Sequence, residues 1–123
     1  MAKRILVVDD EPDITEMVAL RLAAGGYEVV TASSGKECLD KAVADNFALI
    51  IMDVSMPEMD GIAAACRLQR DKATRDIPVI FLTALATKED LGADHAVLGR
   101  HIVIAKPFDG NDLLMVVKQQ IKA

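Results

Sequence analysis

Five short apolar runs punctuate the chain: RILVV (4–8), YEVVTA (27–32), ALIIM (48–52), PVIFL (78–82) and HIVIA (101–105). They are rich in β-branched residues, and several are apolar throughout rather than alternating. A sheet with one wet face alternates apolar and polar positions, whereas a parallel strand covered on both faces is continuously apolar. Between the runs, apolar residues recur at helical period. Ile14, Val18 and Leu22 share a face of the first segment, with Met17 beside them. Leu39 and Val43 do the same in the second segment, and Leu113, Val117 and Ile121 in the last.

Boundary residues agree. Pro12 suits the first turn of a helix, and Gly25-Gly26 suits its end. SGKE (34–37) has the spacing of a capping box, with Ser34 as cap and Glu37 three residues on. Asp109 or Asn111 is placed to cap the last helix. The segment TKEDLGADHAVLGR (87–100) has two glycines and a weak apolar stripe, so a short or mobile element is expected there. Strand and helix alternate five times, which predicts an α/β fold: a five-stranded parallel sheet, order 2-1-3-4-5, with right-handed crossovers and helices on both faces. Residues 1–123 read as one module, with no repeat, low-complexity tract or linker.

Composition narrows this modestly. The chain of 123 residues is 52% apolar, with fourteen Lys and Arg against nineteen Asp and Glu and a net charge of −5. That balance disfavours direct nucleic-acid binding, which calls for a basic face. The densest basic stretch, RLQRDKATR (67–75), reads as a solvated helix end, where cations suit the macrodipole. No run approaches the roughly 20 apolar residues of a membrane span, and the N-terminus reaches carboxylates before any adequate signal-peptide core. Cys38 and Cys66 lie far apart in helical patterns and read as reduced core thiols. The expectation is a cytoplasmic protein.

The chemistry collects at the strand ends. In an open parallel sheet, ligands bind beyond the carboxyl ends of the strands. The first strand runs into Asp9-Asp10, the third into Asp53, the fourth into Thr83-Ala84 and the fifth into Lys106-Pro107. With strands one and three adjacent, three carboxylates, a hydroxyl and an ammonium converge. Singly, each has an ordinary explanation as a loop acid, a β-former or a surface lysine. Together they fall at one end of the sheet, and the other end gathers nothing comparable. Crowded carboxylates repel, and burial worsens this, so the pattern calls for solvent or a bound cation. An oxygen-only donor set suits Mg²⁺ and disfavours zinc.

ILVVDDE, LIIMDVSMPEMDG, PVIFLTA and KPF, in that order and spacing, resemble the receiver domain of two-component response regulators along the whole chain. The resemblance implies that Asp53 takes a phosphoryl group from a phosphohistidine, and that Asp10, Asp9, Asp53 and the Ser55 backbone carbonyl hold Mg²⁺. It implies phosphoryl contacts from Lys106, the Thr83 hydroxyl and the amides of Val54 and Ala84, and a cis Lys106-Pro107 bond. The implied partners are a histidine kinase or histidine phosphotransfer protein and a downstream protein target; a homodimer formed on phosphorylation is left open. The implied output face is built by segment 87–100, the fifth strand and the last helix. The protein would be a switch assisting its own phosphorylation, not a turnover enzyme.

One departure stands out. Relatives carry an aromatic three residues before the lysine, where this chain has Val103, so the usual threonine–aromatic relay cannot operate. Phe81 is expected in the core, Tyr27 is remote, and Phe108 is expected to pack beside the site. His95 and His101 lack any partner spacing for metal binding or catalysis. Met52 reads as core, while Met56 and Met59 read as adaptable contacts for a docking kinase. Two other classes compete: a receiver-shaped interaction module independent of phosphate, and an enzyme or flavin binder on a flavodoxin-like fold. The complete acidic set argues against the former. DDEPD, where a phosphate-binding loop should be, argues against the latter.

Overall fold

The computed structural model describes residues 3–83, 102–105 and 108–121. The strands are β1 (Arg4–Val8), β2 (Glu28–Ala32), β3 (Leu49–Asp53), β4 (Val79–Thr83) and β5 (Ile102–Ala105). The helices among the described residues are α1 (Pro12–Ala24), α2 (Gly35–Ala44), α3 (Gly61–Arg70) and α4 (Gly110–Ile121). All strand pairs are parallel and the order is β2-β1-β3-β4-β5, as the pattern predicts. Segment 87–100 lies outside the described residues.

The continuous apolar runs now have their reason. Ile5, Val7, Leu49, Ile51, Ile80 and Leu82 point to one face and pack with Val18 and Leu22 of α1 and Leu113 and Val117 of α4. Leu6, Val8, Ile50, Met52, Phe81 and Val103 point to the other and pack with α2 and α3. Every residue of β3 and β4 is buried. Phe81 is wholly inside, and Phe108 packs against the α1/α4 layer.

The α2/α3 layer departs from the periodicity reading. Val43 is 53% exposed, and the inward stripe of α2 is Cys38 and Ala42, with Leu39 partly buried. Met17 of α1 is likewise exposed. Met56, expected at a docking surface, is buried in the core. The two cysteines differ: Cys38 is buried and Cys66 exposed, so the expectation of two core thiols holds only for the first. Burial pushes the Cys38 thiol up to about 12. A maleimide reagent is therefore expected to modify one thiol in the native protein, Cys66, and the second only in denaturant. Mass spectrometry after labelling checks this, and rapid native modification of Cys38 would contradict the packing.

Caps end the helices as expected. The Ser34 hydroxyl accepts from the Glu37 N–H at 3.1 Å, and Asp109 accepts from the Asn111 N–H at 2.7 Å. The Glu37 carboxylate, however, reaches past Ser34 to the N–H and hydroxyl of Ser33. That backbone hydrogen bond, aided by the hydroxyl and by Lys41, holds its carboxyl below the usual range against an opposing desolvation. A depressed folded-state value adds stability above the unfolded-state value, and the gain is lost as pH falls through the folded one. Glu37→Gln is thus expected to flatten part of the acid limb of stability below about pH 4.5. Urea unfolding at several pH values checks it; an unchanged acid limb would contradict it.

Candidate functional site

Parallel register brings the acids together. Val8 of β1 lies opposite Met52 of β3, so one further step sets Asp9 beside Asp53. The Asp9 N–H donates to the Ala32 carbonyl at 3.1 Å, which extends the β1–β2 ladder by one bond and fixes the turn into α1. A carboxylate oxygen from each of Asp9, Asp10 and Asp53 lies within 4.8 Å of the others. Asp9 and Asp53 are buried, at 1% and 3% exposure, while Asp10 is exposed. Asp9 accepts from the Glu11 N–H at 2.9 Å and Asp53 from the Ser55 N–H at 3.3 Å.

Two ionised carboxylates at such a separation repel by about 3 kcal/mol at an effective dielectric of about 20. A cluster of hard oxygen donors, two buried and one open to solvent, is the donor set a hard divalent cation takes. Among the described residues, these are the three His, Cys, Asp or Glu side chains close enough together to share a metal ion. A cavity of about 280 Å³ opens onto it, lined by Asp9 and Asp10 together with Thr15, Thr31, Ser33, Glu37 and Lys41.

Thr83 ends β4, buried at 5% exposure, and pairs with Ala105 of β5; the preceding Leu82 pairs with Asp53. The structure thus gathers Asp9, Asp10 and Asp53 at the end of the sheet where Thr83 also terminates its strand. The Val54 N–H, expected to contact a phosphoryl group, instead donates to the Leu82 carbonyl at 2.9 Å and continues the β3–β4 ladder. The amide beside the Asp53 carboxylate belongs to Ser55. Residue type carries no signal for that exchange, because it is a choice of backbone partners. Ala84, His95, His101, Lys106 and the Lys106-Pro107 bond lie outside the described residues.

The loop from β3 to α3 is tightly closed. The Gly61 N–H donates to the Val54 carbonyl at 2.9 Å, and the Asp60 carboxylate caps α3 by accepting from the Ala63 N–H at 2.8 Å. Between them Glu58 takes φ 69°, a conformation that costs a non-glycine residue about 1–3 kcal/mol and clusters at functional sites. Val103 packs in the α2/α3 layer with Phe81, its register partner.

This sheet order, with an acidic cluster at the carboxyl ends of β1 and β3, defines a class of phosphorylation-switched signalling domain. The family described as response regulator receiver domain matches residues 5–118. The chain is 37% identical over 121 residues to the DNA-binding dual master transcriptional regulator RpaA of Synechocystis sp., covering 97% of this chain and 49% of that protein. A putative response regulator from Chloroflexus aurantiacus superposes with a TM-score of 0.89 at 31% identity, covering all of both chains. The receiver domain of a sensor histidine kinase from Pseudomonas aeruginosa, 27% identical with a TM-score of 0.88 over all of both chains, holds a magnesium ion coordinated in its active-site cleft.

The chain belongs to the response regulator receiver domain family. It spans about half the length of the curated relatives it matches. No helix among the described residues is long and apolar enough to cross a membrane.

Proposed function

We propose that this domain is a Mg²⁺-dependent phosphoreceiver in which Asp53 is the nucleophile that accepts a phosphoryl group from a phosphohistidine. The observation that carries the reading is the convergence of the Asp9, Asp10 and Asp53 carboxylates within 4.8 Å beside the end of β4. Asp9, Asp10, Asp53 and the Ser55 carbonyl are the residues that would hold Mg²⁺. The cation would supply charge neutralisation, which is most of what phosphoryl transfer asks of a site. Burial of Asp53 excludes competing water from its carboxylate. Thr83 offers its hydroxyl, and the Ser55 amide, rather than that of Val54, offers a backbone donor to the transferred group. Lys106, directly after β5 in sequence, supplies the second cation, and Ala84 the amide following Thr83.

The phosphodonor is a histidine kinase or a histidine phosphotransfer protein, and the readout is a changed affinity for a downstream protein. The domain assists its own phosphorylation and acts as a switch rather than a turnover enzyme. With Val103 where an aromatic is usual, readout depends on the charge added at Asp53, not on an aromatic swing. The phosphate-independent module is not favoured, because such a module has no use for a cluster of three carboxylates, two of them buried.

Asp10→Ala is expected to weaken Mg²⁺ binding at least tenfold and to slow phosphoryl uptake from acetyl phosphate in proportion. Calorimetric Mg²⁺ titration of both proteins checks it. An unchanged affinity would place the cation elsewhere and sink the proposed ligand set.

A further inference from the structure

The β3–α3 loop is braced from outside the acidic cluster. The Met59 N–H donates to the Pro57 carbonyl at 2.8 Å, closing a three-residue turn around Glu58 at φ 69°. A turn of this positive-φ kind is rare for a non-glycine residue and persists only where the surroundings enforce it. The next residue supplies that enforcement. Met59 sits directly on Gly35, the first residue of α2: a Cβ at Gly35 would lie 3.0 Å from the Met59 carbonyl oxygen and 3.1 Å from its Cβ and Cγ. Met59 also packs, partly buried, against the α2/α3 core layer. Beside this contact lies a cavity of about 410 Å³, lined by Pro57 and Glu58 of the loop and by Lys36, Leu39 and Arg67. Met59 thus links the second half of the loop to α2, while Met56 anchors the first half in the core.

We propose that Met59, seated on Gly35, is a positioning residue for the phosphorylation site. It holds the strained turn closed and so fixes the Ser55 backbone and the Asp53 carboxylate, four and six residues before it. A side chain at position 35 would press on the Met59 carbonyl oxygen, Cβ and Cγ, so Met59 would have to yield by a few tenths of an ångström. The coupling is reciprocal, so occupancy of the acidic cluster and the Met59–Gly35 contact stabilise each other by the same factor. The proposal rests on the reading of Asp53 as phosphoacceptor.

The test uses the full chain, comparing Met59→Ala, Gly35→Ala and Met59→Leu with Val117→Ala, which disturbs the opposite core layer. Each variant is measured for urea stability, Mg²⁺ affinity by calorimetry and mass gain with acetyl phosphate. Met59→Ala and Gly35→Ala are expected to weaken Mg²⁺ binding threefold or more and to slow mass gain. Met59→Leu is expected to return both to within twofold of wild type. Val117→Ala is expected to lose stability while keeping wild-type Mg²⁺ affinity. The proposal is overturned if Met59→Ala and Gly35→Ala bind Mg²⁺ as wild type does, or if Val117→Ala weakens binding equally. Wild-type protein that binds Mg²⁺ and never gains mass overturns the phosphoacceptor reading instead, and the Mg²⁺ affinities still decide the role of Met59.

Discussion

Gly61→Ala is expected to destabilise the domain by about 3 kcal/mol, at the upper end of what overpacking usually costs. Propensity alone points the other way, since alanine is favoured over glycine in a helix by up to about 1 kcal/mol. The steric cost decides. A Cβ at Gly61 would lie 2.3 Å from the Asp53 carbonyl oxygen, 3.0 Å from the Val54 Cα and 3.1 Å from the Asp53 carbonyl carbon. These are backbone atoms at the end of a wholly buried central strand, and they cannot swing aside as a side chain can. The relief available is to shift the start of α3 or the end of β3, either of which strains the Gly61 N–H to Val54 carbonyl bond. Urea unfolding measures the loss, and Mg²⁺ affinity is expected to fall with it because Asp53 moves. A variant as stable as wild type would contradict this close approach of α3 to β3.

Asp53→Ala is expected to remove most of the stabilisation by Mg²⁺ and to invert the order of stability between variant and wild type. In the wild type, a cation that binds only the folded state adds about 1.4 kcal/mol for each tenfold rise in concentration above its dissociation constant. Without the cation, the buried Asp9 and Asp53 carboxylates stand within 4.8 Å of one another and of Asp10. Removing Asp53 takes a like charge out of that cluster, so the variant should be more stable than wild type in EDTA, by about 1 kcal/mol or more. It should also gain little from millimolar Mg²⁺, so the order of stability inverts as Mg²⁺ is added. Thermal melts with EDTA and with Mg²⁺ decide it. A variant less stable than wild type in both conditions would show that Asp53 is there for packing.

The strands were legible because residues such as Ile50, Ile51 and Met52 must satisfy core layers on both faces, and only continuous apolar runs do that. The acidic cluster was legible because strand order and parallel register together bring the residues after β1 and at the end of β3 to one edge. Periodicity misled at α2, where it selects large apolar residues and so favoured Val43. Small residues line the close contact instead: Cys38 and Ala42 of α2 and Ala64 and Ala65 of α3. Met56 was misplaced because loops have no period from which burial can be read. The left-handed residue of the β3–α3 loop is Glu58, although the loop sequence PEMDG offers a glycine three residues later. Gly61 is required for close approach to Asp53 rather than for its dihedral angle. The partner of the Val54 N–H is set by the ladder and leaves no trace in residue type.

Intact-protein mass after incubation with acetyl phosphate tests the central claim most directly, with and without Mg²⁺ and beside Asp53→Ala. The predicted result is a gain of one phosphoryl group that requires Mg²⁺ and is absent from the variant. A gain that persists in Asp53→Ala, or no gain from acetyl phosphate or a phosphohistidine donor while Mg²⁺ is bound, would contradict it.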